Sequence, residues 1–563
     1  MKKIFTLLLC CASLSVSAQY LPNGDFSSWK TSCGSTEAFG YSTGMRQRPG
    51  VEPTDWNGSS VNQKVYMEKK ATLIFNDDNS VKMVNTYVGV MGIGSVAPGY
   101  ITLGTPWVYA HANVSNCDGG TYGGASFSSK PDAITGRFKR TDTTGEISHI
   151  IVYSWNGKFV SGVGSISEPT NSRENVDRAI IGRVSPTSSG NLIASCDYEF
   201  TSTTNSDWQT ITVPLTYTDY GKKSTNEPTM MNIIISAGDY WTRTNMIENT
   251  TLYADDVQFI YNSSLSDLRF NGKTISGFAK DTYEYTIDDA YTKGCIEFTK
   301  DCVGGSVEGD FYPSSNSYII TVKGDDYKSN PSNTHTYTVK FTQVLIEDGV
   351  TDITEMEGLS NMTFILKRNF KAGWNTICLP FGSNKSLLGD GAKVYRLTAS
   401  YTNSDVITFT NHGTAALIAN TPYLIYLPTA ISNIVYTDRS IAEIKITTIT
   451  HNNWIFAGNY TQNMSMEGKW GVVNEGGKVR KGGSGSTLKG TRAYFTNKNN
   501  TAGVNEMRFI IDGEETNITE IDGEPLSYDV YNLNGMLVRK NATDLNGLRK
   551  GIYIVNGKKY IVK

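Results

Sequence analysis

With 563 residues, 39% hydrophobic and 11% aromatic, the chain is too long for one core and too apolar for disorder. Lys and Arg number 51 against 54 Asp and Glu, a balance that argues against nucleic acid or an anionic membrane surface as partner. At roughly 100 to 200 residues per domain, about three to five domains are expected.

The chain opens with Lys2, Lys3, an apolar run from Ile4 to Leu14 and Val16-Ser17-Ala18. That is the pattern of a cleaved signal peptide over residues 1–18, and it places the protein outside the cell or on its outer-membrane surface. No later window approaches the roughly 18 apolar residues of a spanning helix, so no transmembrane helix is expected. Eight cysteines, less Cys10 and Cys11 of the leader, leave six spread thinly along the chain. Cys295 and Cys302 flank a hairpin-like stretch that a disulfide could close, and Cys378, in Thr376-Ile377-Cys378-Leu379-Pro380, reads as a buried free thiol.

Short alternating segments follow: Ala71 to Phe75, Val81 to Val90, Tyr100 to Leu103, Ser126 to Tyr153, Ala179 to Val184, Asp197 to Phe200, Gln209 to Leu215 and Met231 to Ser236. None has a helical period, and Gly, Ser and Asn turns separate them, the pattern of a two-sheet sandwich. In Ser126–Tyr153, Ile134, Gly136 and Phe138 alternate with Thr135, Arg137 and Lys139. The polar turn from Thr141 to Gly145 predicts a hairpin onto Ile147–Tyr153. Trp29, Trp56 and Trp208 read as structural.

Three motifs in this half belong together: Asn23-Gly24-Asp25-Phe26-x-x-Trp29, Phe127-x-x-Lys130-Pro131-Asp132-x-Ile134-x-Gly136-x-Phe138-Lys139, and Tyr253-Ala254-Asp255-Asp256-Val257. As a set they resemble a domain family of secreted Bacteroidetes proteins named for carbohydrate metabolism, over residues 20–262. The resemblance implies a jelly-roll β-sandwich similar to carbohydrate-binding modules, with a role in glycan handling. It also implies one structural calcium held by Asn23, Asp25, Asp255 and Asp256, although Ser27 stands where such modules carry Glu. By strand alternation Asp255 and Asp256 point to opposite faces. Calcium needs about six to eight oxygens; the other reading of these acids is that they cap strands in solvent.

Sugar recognition needs exposed aromatic faces beside polar groups that bond hydroxyls. Trp107, Tyr109, Tyr122, Trp155 and Trp241 are the candidate rings and Arg137 the candidate polar arm; for each, core packing or a solvated strand face is the alternative.

From Ser263, Leu265-Ser266-Asp267-Leu268-x-x-Asn271-Gly272-x-x-Ile275-x-Gly277-Phe278 and the later Thr336 to Phe341 resemble cadherin-like or immunoglobulin-like sandwich repeats, over 263–343. Residues 344–519, with Phe370-x-x-Gly373-Trp374-Asn375-Thr376-Ile377-Cys378-Leu379-Pro380-Phe381, are similar to a β-rich segment of Bacteroidetes surface proteins. Residues 526–563, with hairpin signals at Asn534-Gly535, Lys550-Gly551 and Asn556-Gly557, resemble the C-terminal sorting domain of type IX secretion. That resemblance implies secretion machinery as a partner. The expected fold class is all-β and multidomain, an N-terminal jelly roll followed by an Ig-like and further β-sandwich modules.

No catalytic pair stands out. Asp118, Asp132, Glu146, Glu199, Asp239 and Asp255-Asp256 are available, but no spacing selects two, and the five His lie far apart without metal-ligand spacing. Phosphate-loop, nucleophile-elbow and Cys-x-x-Cys motifs are absent from the sequence. A non-catalytic surface protein binding polysaccharide leads, ahead of a glycoside hydrolase or lyase and of a structural adhesin.

Overall fold

The computed structural model describes residues 21–141, 145–161, 173–183, 186–201, 207–242, 246–400, 406–472, 479–498, 508–512, 514–516, 528–542, 545, 547–555 and 558–562. The leader expected over 1–18 and the Asn556-Gly557 turn lie outside them.

The chain is all-β, as its turn-punctuated alternation predicts, and among the described residues helix is confined to short pieces such as Asp177–Ile180. The described residues fall into two compact units. One draws on 1–283, 296–309 and 320–337, the other on 284–295, 310–319 and 338–563.

In the first unit, one sheet runs in the order Gln209–Pro214, Ala133–Arg140, Thr251–Ile260, Ser80–Val84, Ile74–Asp77. A second runs Thr216–Tyr217, Asn191–Phe200, Ser148–Asn156, Met230–Ser236, Tyr100–Thr102, Asn57–Gly58, with Ala125–Ser126 also on Met230–Ser236. Side chains alternate along a strand, so the central strands Ser148–Asn156 and Met230–Ser236 serve two layers. Ile150, Val152, Ile233 and Ile235 enter a core with Val81, Phe138 and Leu252 of the first sheet. Ile151, Tyr153, Trp155 and Ile234 face the other way and pack with Tyr100, Phe159, Ile180 and Tyr240. Ser148–Trp155 is therefore buried at every position. At about 1.5 to 3 kcal/mol per large apolar side chain, such a strand anchors the unit.

The predicted Ser126–Tyr153 hairpin is not formed. Ala133–Arg140 pairs with Gln209–Pro214 and Thr251–Ile260, whereas Ser148–Asn156 pairs with Asn191–Phe200 and Met230–Ser236. The chain crosses from one sheet to the other between them. A polar turn between alternating strands has the same sequence signature in both cases. The alternation itself holds, with Ile134 and Phe138 in the core and Arg137 outside.

A third sheet, Asp118–Tyr122, Thr105–Ala110, Ser35–Gly40, Gly44–Gln47, and two free-standing hairpins, Val61–Lys64 with Glu68–Ala71 and Thr86–Val90 with Ile93–Ala97, complete this part of the unit. Residues 263–343 supply strands to both units: Leu265–Phe270 pairs with Ile296–Lys300 in the first, and Glu284–Ala290 runs parallel to part of Thr334–Glu347 in the second. Cys295 and Cys302 are free and buried. The extended strand Ile296–Lys300 lies between them, and at about 3.3 Å per residue it carries the chain well past disulfide reach.

The second unit contains a six-stranded sheet, Gly373–Ile377, Tyr423–Leu427, Lys393–Ser400, Val406–Asn411, Arg508–Ile511, Glu514–Thr516, and a five-stranded one centred on Trp454–Asn459 and Arg492–Asn497. The Gly373 to Phe381 motif supplies core: Ile377, Cys378, Leu379 and Phe381 are all buried. Cys378 is the inert thiol expected, its pKa pushed up to about 12 by burial. The last sheet orders Leu537–Ala542, Tyr528–Asn532, Gly551–Val555 and Lys558–Val562 around Val530, Ala542, Tyr553 and Val555.

Candidate functional site

The first unit carries a cleft of about 1100 Å³, walled by the third sheet, the two hairpins and the turn after Met230–Ser236. Trp107 and Tyr109, two residues apart on Thr105–Ala110, share a face. Gly120 lies opposite Trp107 and Asp118 opposite Tyr109. Trp107 lines the cleft but is only 1% exposed, so its ring is floor, with the Arg178 guanidinium 5.8 Å from its centroid. Tyr109 is half-buried, its ring 6.2 Å from His111 and near-parallel to it.

Arg178 projects from the short helix Asp177–Ile180 and grips Asp118 with both terminal nitrogens, Nη1 donating to Oδ2 at 2.7 Å. Asp118 is the one carboxylate among the described lining residues, and this fork-on-fork contact neutralises it. Next to Arg178, Asp177 is buried and accepts from the Tyr240 hydroxyl at 2.6 Å and from two backbone N–H groups. Burial pushes the Asp177 carboxyl above the usual carboxylate range.

Trp241 stands on a turn made by Asp239, whose Oδ1 accepts the backbone N–H of Trp241 at 3.0 Å and of Thr242 at 3.2 Å. Its indole N–H donates to Asp197 Oδ2 at 2.8 Å, and the Arg183 guanidinium lies over its ring, 4.2 Å from the centroid. Behind this turn, buried His149 has Asp197 at 2.8 Å from Nδ1 and Asp239 at 3.4 Å from Nε2. Burial pushes the Asp197 carboxyl up, but the His149 contact holds it below its ordinary value on balance.

The cleft thus gathers three of the sequence-predicted residues, Trp107, Tyr109 and Trp241. The others lie elsewhere. Trp155 is wholly buried, its ring 5.6 Å from Tyr153, and a ring closed off from solvent has no face for a sugar. Tyr122 is half-buried outside the cleft lining, its hydroxyl donating to Glu37 at 3.0 Å beneath Arg173. Arg137 sits on the outer face of the first sheet, 5.1 Å from the Trp208 ring and paired with Asp255 at 3.3 Å and Asp256 at 3.5 Å. Trp208 therefore belongs to a surface cluster of cations and rings, while Trp56 is core and Trp29 packs against it.

That double pairing corrects the expected divergence of the two acids. Register shifts between Thr135 and Arg137, and Asp256 takes a left-handed φ of 49° as part of a bulge, so both carboxylates reach one guanidinium. Asn23, Asp25 and Asp256 do open with Arg137 into one recess of about 450 Å³. The Asn23 amide is already committed, its oxygen accepting from Ser28 N at 3.0 Å and its nitrogen donating to the Ser28 and Thr54 carbonyls. Asp25 accepts from Ser27. With a guanidinium on two acids and the amide engaged, these residues as arranged do not fit a calcium ion. Among the described residues no group of three or more His, Cys, Asp or Glu is placed to hold a metal.

No family model matches the chain, and no curated protein matches it. Among solved structures, a candidate glycoside hydrolase from Bacteroides vulgatus is 14% identical over 32% of this chain and 72% of its own, with a TM-score of 0.24. Another from Bacteroides thetaiotaomicron is 16% identical over 35% of this chain and 59% of its own, with a TM-score of 0.23. A family 16 carbohydrate-binding module is 12% identical over 36% of this chain and 84% of its own, with a TM-score of 0.16. At these scores the likenesses decide neither ligand nor reaction.

Sequence reasoning missed Tyr66, Arg178 and Arg183, all of which line the cleft. Tyr66 had a signal: an apolar Tyr66-Met67 pair at the tip of a hairpin whose strands are otherwise polar, leaving Tyr66 67% exposed. The two arginines sit at and beside Ala179 to Val184, read from its alternation as a strand, whereas the structure makes Asp177–Ile180 a short helix followed by a turn.

Proposed function

We propose that the protein binds glycan in this cleft without cleaving it. One observation carries the reading: Tyr66 and Tyr109 open into the same cleft as Arg178, Arg183 and His111, the pairing of ring faces and polar donors that sugars require, while the single carboxylate among the described lining residues is neutralised. Glycoside hydrolysis needs two carboxyls across the scissile bond, and among the described residues none of the other candidate acids lines the cleft. Glu146, for example, is buried and accepts from Asn85, Ile247 and Thr250. A structural adhesin is the second reading, favoured by the burial of Trp107 and Trp155.

Export through the leader, display at the outer-membrane surface through a type IX-like tail, and an Ig-like spacer over 263–343 complete the proposal on sequence resemblance alone. The calcium that the resemblance implied at Asn23, Asp25, Asp255 and Asp256 is not part of the proposal, since Arg137 occupies the two acids.

The test is a glycan-array screen of the full mature chain with and without calcium, followed by product analysis. Retained, intact glycan is expected, and Tyr66→Ala or Tyr109→Ala should weaken it by at least about tenfold. Cleavage products would replace binding with hydrolysis, and no retention of any glycan would favour the adhesin.

A further inference from the structure

We infer that the cleft selects an anionic glycan, one carrying a carboxylate or sulfate, and that Arg183 recognises that charge. The inference rests on the glycan-binding reading of the same cleft and adds the ligand's chemical class.

Among the described lining residues the fixed charges are Asp118, Arg178 and Arg183. The first two cancel in a bidentate pair whose side chains are only 10% and 15% exposed. Arg183 is left, its side chain 48% exposed. Its nearest acid, Asp197, is 3.8 Å away, beyond hydrogen-bond distance. Asp197 is also already engaged, with Oδ1 on His149 at 2.8 Å and Oδ2 on the Trp241 indole at 2.8 Å. The Arg183 guanidinium donates no hydrogen bond to any described residue, its only described bond being from its backbone N–H to the Arg178 carbonyl at 2.7 Å.

A guanidinium carries five N–H donors in a planar fork that fits carboxylate and sulfate oxygens two at a time. Here the fork is held before any ligand arrives. It lies 4.2 Å over the Trp241 ring, and that ring is fixed by the Asp239 turn and the Asp197 hydrogen bond. Stacking on an aromatic face confines the side chain without consuming its donors, so less rotamer freedom is lost on binding. Trp241 is thereby a seat for Arg183, since the guanidinium covers one face of its ring; Tyr66 and Tyr109 remain to stack on the sugar. A neutral glycan would leave that charge with Asp197 alone, 3.8 Å away and already bonded to His149 and Trp241.

The experiment is calorimetric titration of the full mature chain with oligogalacturonate and sulfated chondroitin oligosaccharides against neutral xylo- and malto-oligosaccharides, repeated with Arg183→Gln. At least one acidic oligosaccharide is expected to bind about tenfold tighter than every neutral one, with affinity falling as salt rises. Arg183→Gln should erase that margin, weakening the acidic oligosaccharide about tenfold more than it weakens any neutral one. Neutral oligosaccharides binding as well as acidic ones, or a variant that keeps the margin, overturns the inference and leaves the glycan reading standing. Binding of neither class overturns both.

Discussion

Arg48 and Glu52 are buried together, with both side chains at 0% exposure. Arg48 donates through Nε and Nη2 to the two Glu52 oxygens, the second contact at 3.2 Å. The same oxygens accept the backbone N–H of Gly34 at 3.0 Å and of Gly58 at 3.1 Å. Burial alone would raise the Glu52 carboxyl, but Arg48 and these donors hold it below its ordinary value. Removing one charge of such a pair leaves the other stranded, so Glu52→Gln is expected to cost about 3 to 5 kcal/mol in chemical denaturation. Asp132 runs the other way. Burial raises its pKa from 3.8 to about 6, even though it accepts from Asn262 N at 2.8 Å and Val303 N at 3.1 Å. A carboxyl whose folded pKa is raised lends stability that is present below pH 4 and is lost as pH rises through about 6. Stability measured from pH 4.5 to 7 should therefore fall by about 2 kcal/mol from this group, and Asp132→Asn should remove that slope. Little of either arrangement was legible in sequence: Glu52 and Arg48 sit in Arg48-Pro49-Gly50-Val51-Glu52, a stretch that reads as a surface turn.

At the level of elements, Thr86–Val90 and Ile93–Ala97 pair only with each other, yet they form one wall of the cleft. Met91 at the tip is 86% exposed, and its φ of 52° marks a tight turn. Replacing residues 86–97 with a short Gly-Asn link should leave thermal unfolding of the chain within about 4 °C and weaken glycan binding by at least about tenfold. The link would join Asn85 to Pro98, keeping the Asn85 bonds to Glu146 and Gly99. Strand periodicity was the most legible property of this sequence, as Ala133–Arg140 shows. Pairing was not, because the Thr141 to Ile147 segment satisfies a hairpin and a sheet-to-sheet crossing equally. The bulge at Asp256 was illegible for a related reason, since one extra residue changes which face every later side chain takes without altering composition.

Over the whole molecule, the first unit does not stop where the jelly-roll resemblance stops. Lys130 N donates to Asp325 at 2.6 Å, Val303 N to Asp132 at 3.1 Å, and Asn333 Nδ2 to the Tyr261 carbonyl at 2.8 Å. A chain cut after residue 262 loses all three and uncovers the groups they satisfied. At about 1 kcal/mol per hydrogen bond its thermal midpoint should lie about 5 to 10 °C below that of the first transition of the full chain in calorimetry. Composition and turn spacing sufficed for the all-β class. The cleft did not follow from them, because its walls come from segments more than a hundred residues apart; Trp107, Tyr109 and Trp241 pointed to it by residue type, and Tyr66 by its place at a hairpin tip.

The strand Ser148–Asn156, covered on both faces and paired along both edges, has a consequence for motion. Its amides should be the last of the first unit to take up deuterium, since their exposure requires the unit to open as a whole. Trp241 and Tyr240 are tied to this slow-exchanging layer through Asp197, His149 and Asp177, whereas the strands of the Thr86–Ala97 hairpin pair only with each other and donate outward through the Tyr87 N–H to Glu248 at 3.3 Å. On the glycan-binding reading, amides of residues 86–97 should therefore exchange faster than those of Ser148–Asn156, with one wall of the cleft opening against a stationary floor.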